Sequence, residues 1–231
     1  MNTGKPFRIL GVAFLLQFIT SFSNGLLLRP ALFPSENMSE NLINLADNVW
    51  LAKIYILIDM VTALGIIFLG AMLYLALKTR NGKAALVAFG FYILEAALLA
   101  ASRLATFSLI GISQEYVRAG QSPELLLLGN LAFDSMEFVG STLHMLAFLP
   151  GGLMFYYLLY QSREVPRALS LWGLITLLPL MVGTLTAIFG YELPFILFVP
   201  YVPFEFVIGA WILMKGISEP SGSMTDMAAI A

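Results

Sequence analysis

The stretch NLAFDSMEFVGSTLHMLAFLPGGLMFYYLLY, residues 130 to 160, decides how the chain is read. At about 1.5 Å per helical residue, residues 133 to 160 cover a hydrocarbon layer about 30 Å thick with some to spare. Yet the segment opens with Asn130, Asp134 and Glu137, and it holds His144, the only histidine of the chain. Taking about 100° per residue from Asn130, Asp134 falls near 40°, Glu137 near −20°, Ser141 near 20° and His144 near −40°. One polar face on an apolar helix must turn away from lipid, so the expectation is a membrane span that points its charges into a bundle.

The rest of the chain agrees. Of 231 residues 59% are hydrophobic and 11% charged, and the mean hydropathy is +0.87, far from the composition of a soluble domain. Twelve basic and 14 acidic residues leave a net charge of −2, which offers nucleic acid nothing to bind. There is no cysteine, so disulfides, thiolate metal sites and cysteine nucleophiles are excluded together.

Six segments have the length and apolarity of spans: about 7 to 28, 54 to 77, 84 to 108, 133 to 160, 168 to 189 and 193 to 214. Lys5 and Arg8 before the first imitate a signal peptide. The apolar run to about Leu28 without an A-x-A-like site favours an uncleaved anchor. Eight of the twelve basic residues (Lys5, Arg8, Lys78, Arg80, Lys83, Arg163, Arg167 and Lys215) fall on one side of these spans. The positive-inside rule makes that side cytoplasmic and puts both termini there. The fold expected is an all-α integral membrane protein, a bundle of six transmembrane helices. In SENLINLADNVW, residues 39 to 50, Leu42, Ile43, Leu45, Ala46, Val49 and Trp50 recur at helical spacing and predict an interfacial helix before span 2. Residues 1–216 read as one six-span domain, and the small, polar residues 217–231 as a flexible cytoplasmic tail.

Charges on other spans are the natural partners of the polar face: Lys53 and Asp59 on span 2, Glu95 and Arg103 on span 3, Glu205 on span 6. Asp59, Arg103, Asp134 and Glu137 belong to the outer third, and Glu95 and Glu205 to the midplane. Such a ladder would admit water and polar groups from outside. Glu95, Asp134, Glu137, His144 and Glu205 are therefore the candidate ligand- or proton-binding residues, with Arg103 and Asp59 compensating charge. The plainer reading is an ion-paired clamp between helices. It explains the pairs well, but not a surplus of midplane carboxylates.

Other chemistry finds little purchase. A single histidine excludes a three-histidine zinc site, and there is no HExxH or GxSxG. Carboxylates plus His144 leave a divalent metal open, and no motif asks for a cofactor. Ser141 and His144, three apart, suggest a local hydrogen bond rather than a nucleophile and base. Pro150, Pro194, Pro200 and Pro203 imply kinks, and Gly140, Gly151 and Gly152 close packing.

SREVPRALSLWGLI from Ser162, PFEFVIGAWILMKG from Pro203 and ILEA from Ile93 resemble recurring blocks of a bacterial family known as domain of unknown function 4386. The order and spacing of the spans match it over the chain apart from the tail. The resemblance implies a multi-pass protein of the bacterial inner membrane and carries over no catalytic residues. Three functions compete. The first is a small transporter or sensor whose outward polar cavity binds a cation, proton or small polar ligand. The second is an intramembrane enzyme acting on lipid headgroups, with Asp134, Glu137 and His144 as acid, base or metal ligands. The third is an assembly subunit. Expected partners are membrane lipids, a small polar ligand or cation, and a second copy or another membrane protein.

Overall fold

The computed structural model describes residues 7–191 and 199–217. The tail from residue 218, Lys5, Pro194 and the start of expected span 6 lie outside them. Among the described residues every regular element is helical. Four helical stretches are long and apolar enough to cross a membrane: Ile9–Leu32, Val49–Arg118, Pro123–Ser162 and Arg167–Ile188. The count differs from six for two reasons. Val49–Arg118 runs through an expected loop, and the last helix, Val202–Lys215, has 14 residues.

The helices are α1 (Ile9–Leu32), α2 (Met38–Asp47), α3 (49–80), α4 (82–118), α5 (Pro123–Ser162), α6 (Arg167–Ile188) and α7 (Val202–Lys215). KTRNGK contains a break rather than a loop. Only Asn81 leaves helical geometry, at φ −155° and ψ 91°, and its side chain accepts a hydrogen bond from the Ala84 amide at 3.1 Å. Asparagine suits this place because its carboxamide supplies the acceptor that the first amides of α4 lack. α4 ends in a turn where Gly120 and Gln121 take φ of +69° and +67°. Ser122 then caps α5, with Pro123 in its first turn, where a missing amide hydrogen costs nothing.

The chain forms two compact units. In the first, residues 7–18, 65–93, 146–191 and 199–217, glycines let helices approach. A Cβ on Gly151 would stand 2.9 Å from the Tyr92 ring, and one on Gly11 or Gly173 would collide with Leu213 or Phe204. Aromatic rings fill the interior: Tyr92 meets Phe155 edge-on at 5.2 Å, and Tyr156 meets Phe204 at 4.9 Å.

The second unit, residues 19–64 and 94–145, has a core of Leu32, Leu42, Leu45, Tyr55, Leu109 and Met136 among others. α2 is helical as its spacing predicts, but Leu42 and Leu45 are buried in protein, and Leu42 packs on Gly129 of α5. Asn37 serves as the α2 cap, its side chain accepting from Ser39 N at 3.0 Å. Asn44 donates to the Ala31 and Leu32 carbonyls at 2.8 and 2.9 Å and so satisfies the end of α1. On the outside, large apolar side chains such as Leu64, Leu104, Phe107 and Phe189 are exposed. Such a surface belongs against lipid tails.

Candidate functional site

Two π-helical turns set the geometry of the second unit: Asn24–Leu28 in α1 and Phe138–Leu143 in α5. Each inserts an extra residue into its helix, an irregularity that recurs at functional sites. Arg29 directly follows the first turn and Glu137 directly precedes the second. The two side chains join: Arg29 Nε donates to Glu137 Oε1 at 3.1 Å, and Nη2 lies 3.0 Å from Oε2. This two-point pairing fits the fork of a guanidinium to a carboxylate. Ser141 Oγ also donates to Glu137 Oε2, at 3.4 Å.

A second pair lies deeper. Arg103 Nη1 is 2.9 Å from Asp59 Oδ2, with both side chains almost wholly buried. Arg103 Nε and Nη2 donate to Ser102 Oγ at 3.0 and 2.8 Å, and its guanidinium carbon sits 4.7 Å from the centre of the Tyr55 ring. Hydrogen bonds and an aromatic face thus offset part of the desolvation that a buried charge pays. The π-turns enclose this pair. Asn24 Nδ2 donates to the Tyr55 carbonyl at 3.2 Å, and a Cβ on Gly140 would stand 2.8 Å from both Arg103 Nη2 and Ser102 Oγ. Gly140 is therefore required by the close approach of the arginine.

Above the pairs lies a groove of about 460 Å³ lined by Arg29, Phe33, Asn41, Asn130, Phe133 and Asp134, among others. Phe33 and Phe133 form an edge-to-face pair at 5.0 Å on its wall. Buried Asn41 shapes the rim, accepting from Ser35 N at 3.1 Å and donating to Ser35 O at 2.8 Å. Asn130 and Asp134 are exposed to this space.

The predicted site residues therefore fall into separate places. Asp134 opens to the groove, Glu137 is half-buried beside it, and Asp59 and Arg103 are paired beneath. Glu95 is buried on α4, about two turns before Arg103. Half-buried His144 follows the second π-turn, its Nδ1 buried beside the Gly140 and Ser141 carbonyls. The regular spacing of the stripe from Asn130 to His144 is interrupted between Glu137 and His144, where the π-turn Phe138–Leu143 inserts about one extra residue. Ser141, four residues after Glu137, stays on its face and turns its hydroxyl to that carboxylate. Lys53 is exposed and takes no part. Arg29 is the residue the sequence reading missed. Its signal was a lone arginine closing span 1 on the side where Glu137 lies.

Glu205 belongs to the first unit. The described part of the last helix starts at Val202, so Glu205 sits in a first turn, where the helix dipole favours a carboxylate. Tyr201 Oη donates to Glu205 Oε1 at 2.8 Å and lies 2.9 Å from Tyr156 Oη. Since Tyr201 has one hydroxyl proton and gives it to Glu205, Tyr156 is the donor in the second bond. Trp172 Nε1 steadies the start of this helix by donating to the Pro200 carbonyl at 3.1 Å.

Among the described residues no three His, Asp or Glu side chains converge as metal ligands do. Comparison with known proteins found no match among curated proteins or among solved structures. The family model described as Domain of unknown function (DUF4386) matches residues 9–216. This range contains the blocks at Ile93, Ser162 and Pro203 and every helix above, and the chain belongs to that family.

Proposed function

We propose that the protein crosses the bacterial inner membrane six times with both termini in the cytoplasm, and that it binds a small polar ligand or cation from the outer side as a transporter or sensor. The break at Asn81 supports counting α3 and α4 as two spans, and the hydropathy of residues 193 to 214 supports the sixth. Basic residues at both ends of the chain and around positions 78–83 support the orientation. It puts the connections 33–37 and 119–122 outside.

The observation that carries the ligand reading is the groove of about 460 Å³ that opens between those outer elements and holds Arg29, Asn130 and Asp134. It has the size of a small-molecule site, and its lining is mainly polar, with the Phe33 and Phe133 rings on one wall. Asp134 faces it with no hydrogen-bond or ion-pair partner among the described residues.

The test is a melting series on the purified full-length protein with small amines, carboxylates, amino acids and mono- and divalent cations, repeated with Asp134→Asn. A ligand at a hundred times its dissociation constant adds about 2.7 kcal/mol to the folded state. A stabilising probe whose effect vanishes in Asp134→Asn is expected, and accumulation of that probe in sealed proteoliposomes separates a transporter from a sensor. No Asp134-dependent shift across the series would sink the reading. Labelling of a cysteine placed at position 82 from outside intact cells would sink the orientation.

A further inference from the structure

The groove carries more than room for a ligand, because its lining holds both signs of charge, Arg29 against Asp134 and Glu36. Resting on the ligand-binding reading above, we propose that it takes a zwitterion: a small molecule with an ammonium and a carboxylate or phosphate a few ångströms apart. Free amino acids and the ethanolamine headgroup of lipids share that chemistry.

The anion-binding end is Arg29. Its Nε and Nη2 are committed to Glu137, which fixes the plane of the guanidinium and leaves the two N–H groups of Nη1 for an anion. The ammonium-binding end is Asp134 with Asn130. Asn130 Nδ2 gives one hydrogen to the Leu126 carbonyl at 3.0 Å and keeps its acceptor Oδ1 and a second N–H. Asn130 and Asp134 are four apart on α5, and both line the groove. The acceptors at this end are the Asp134 carboxylate and the Asn130 Oδ1, and the Glu36 carboxylate also lines the groove.

The two ends are close in the fold. Glu137, which grips Arg29, follows Asp134 by three residues and precedes the π-turn, so the regular helix puts their Cβ atoms about 5–6 Å apart. The guanidinium paired with Glu137 and the Asp134 carboxylate both line the groove. A simple cation bound at Asp134 would leave the free donors of Arg29 unmatched, and a simple anion at Arg29 would face Asp134 and Glu36. A ligand carrying both signs uses both ends at once, which is how a site disfavours singly charged analogues. The Phe33 and Phe133 rings supply an apolar wall for the part of the ligand between or beyond its charges.

The experiment measures dissociation constants from the shift in melting midpoint of the purified full-length protein. The probes are L-leucine, its decarboxylated form isoamylamine and its deaminated form 4-methylpentanoate. In parallel, the protein is assayed against vesicles of phosphatidylethanolamine, phosphatidylcholine and phosphatidylglycerol. Leucine or phosphatidylethanolamine should bind, with each singly charged analogue weaker by about tenfold or more. Asp134→Asn, a surface change that leaves folding intact, should cost a similar factor. Saturation by leucine identifies a soluble ligand, and binding confined to phosphatidylethanolamine vesicles identifies a headgroup. If isoamylamine or a divalent cation bound as well as the zwitterion and still depended on Asp134, the zwitterion assignment would fall while the ligand site stood. If no probe responded to Asp134→Asn, both would fall.

Discussion

Arg103 and Arg29 each hold a carboxylate in the same unit, Asp59 at 2.9 Å and Glu137 at 3.0 Å, but in different surroundings. The Arg103 and Asp59 side chains are 6% and 8% exposed, whereas those of Arg29 and Glu137 are 41% and 28% exposed. The sealed pair has no solvent to fall back on, so each charge depends on the other for its place in the protein. The open pair is screened and loses little when broken, but its arginine still faces a groove. Similar chemistry serves stability in one place and leaves a donor available in the other, and burial is what separates them.

The largest effect should come from Arg103→Leu, which strands Asp59 in the interior and should cost roughly 3–5 kcal/mol. A detergent melt would show it as a large fall in midpoint or a failure to purify. The double variant Asp59→Leu/Arg103→Leu should recover most of that loss, since no charge is then left without its partner. A double variant as unstable as the single one would mean that the shape of the guanidinium in its pocket, rather than its charge, holds the unit together.

Next in size is Gly140→Ala. Its new methyl would meet Arg103 Nη2 and Ser102 Oγ at 2.8 Å, and such overpacking costs about 1–3 kcal/mol. A Cβ on Gly25, in the other π-turn, would have nothing within 4 Å. Gly25→Ala should therefore be neutral or stabilising by up to about 1 kcal/mol, because alanine loses less backbone freedom on folding. Equal losses for the two would remove the claim that Arg103 is what requires a glycine at 140.

The smallest expected effect is that of Glu137→Gln. A half-exposed pair contributes about 0–1 kcal/mol, and salt weakens it further. The variant should melt within a few degrees of the parent, and the gap should narrow as salt is raised. A loss as large as that of Arg103→Leu would show that the open pair is structural too, and the contrast between the pairs would disappear.

Much of the fold was legible because lipid leaves a chain few choices. Long apolar runs must be helices, and the charges they carry must be hidden. Asp59, Glu95 and Arg103 could be singled out for burial on cost alone, and all three are buried. The spacing in residues 39 to 50 predicted a helix because amphipathic period survives in sequence. Arg29 escaped notice because pairing across 108 residues has no periodic trace. The scatter of the polar stripe escaped because nothing in FVGSTL marks a π-turn; its glycine is as common in regular membrane helices.

Composition and hydropathy by themselves determined that this is a helical membrane protein, since transfer of side chains between water and lipid is a local property of each segment, and the blocks at Ile93, Ser162 and Pro203 pointed to its family. Tertiary structure alone decided which arginine meets which acid, which pair is sealed, and that Asp134 opens to a groove. Those outcomes depend on packing between helices distant in sequence and on two π-turns that shift side chains by a fraction of a turn. A helical wheel presumes regular geometry, so it identifies the polar residues but misassigns their neighbours wherever that geometry breaks.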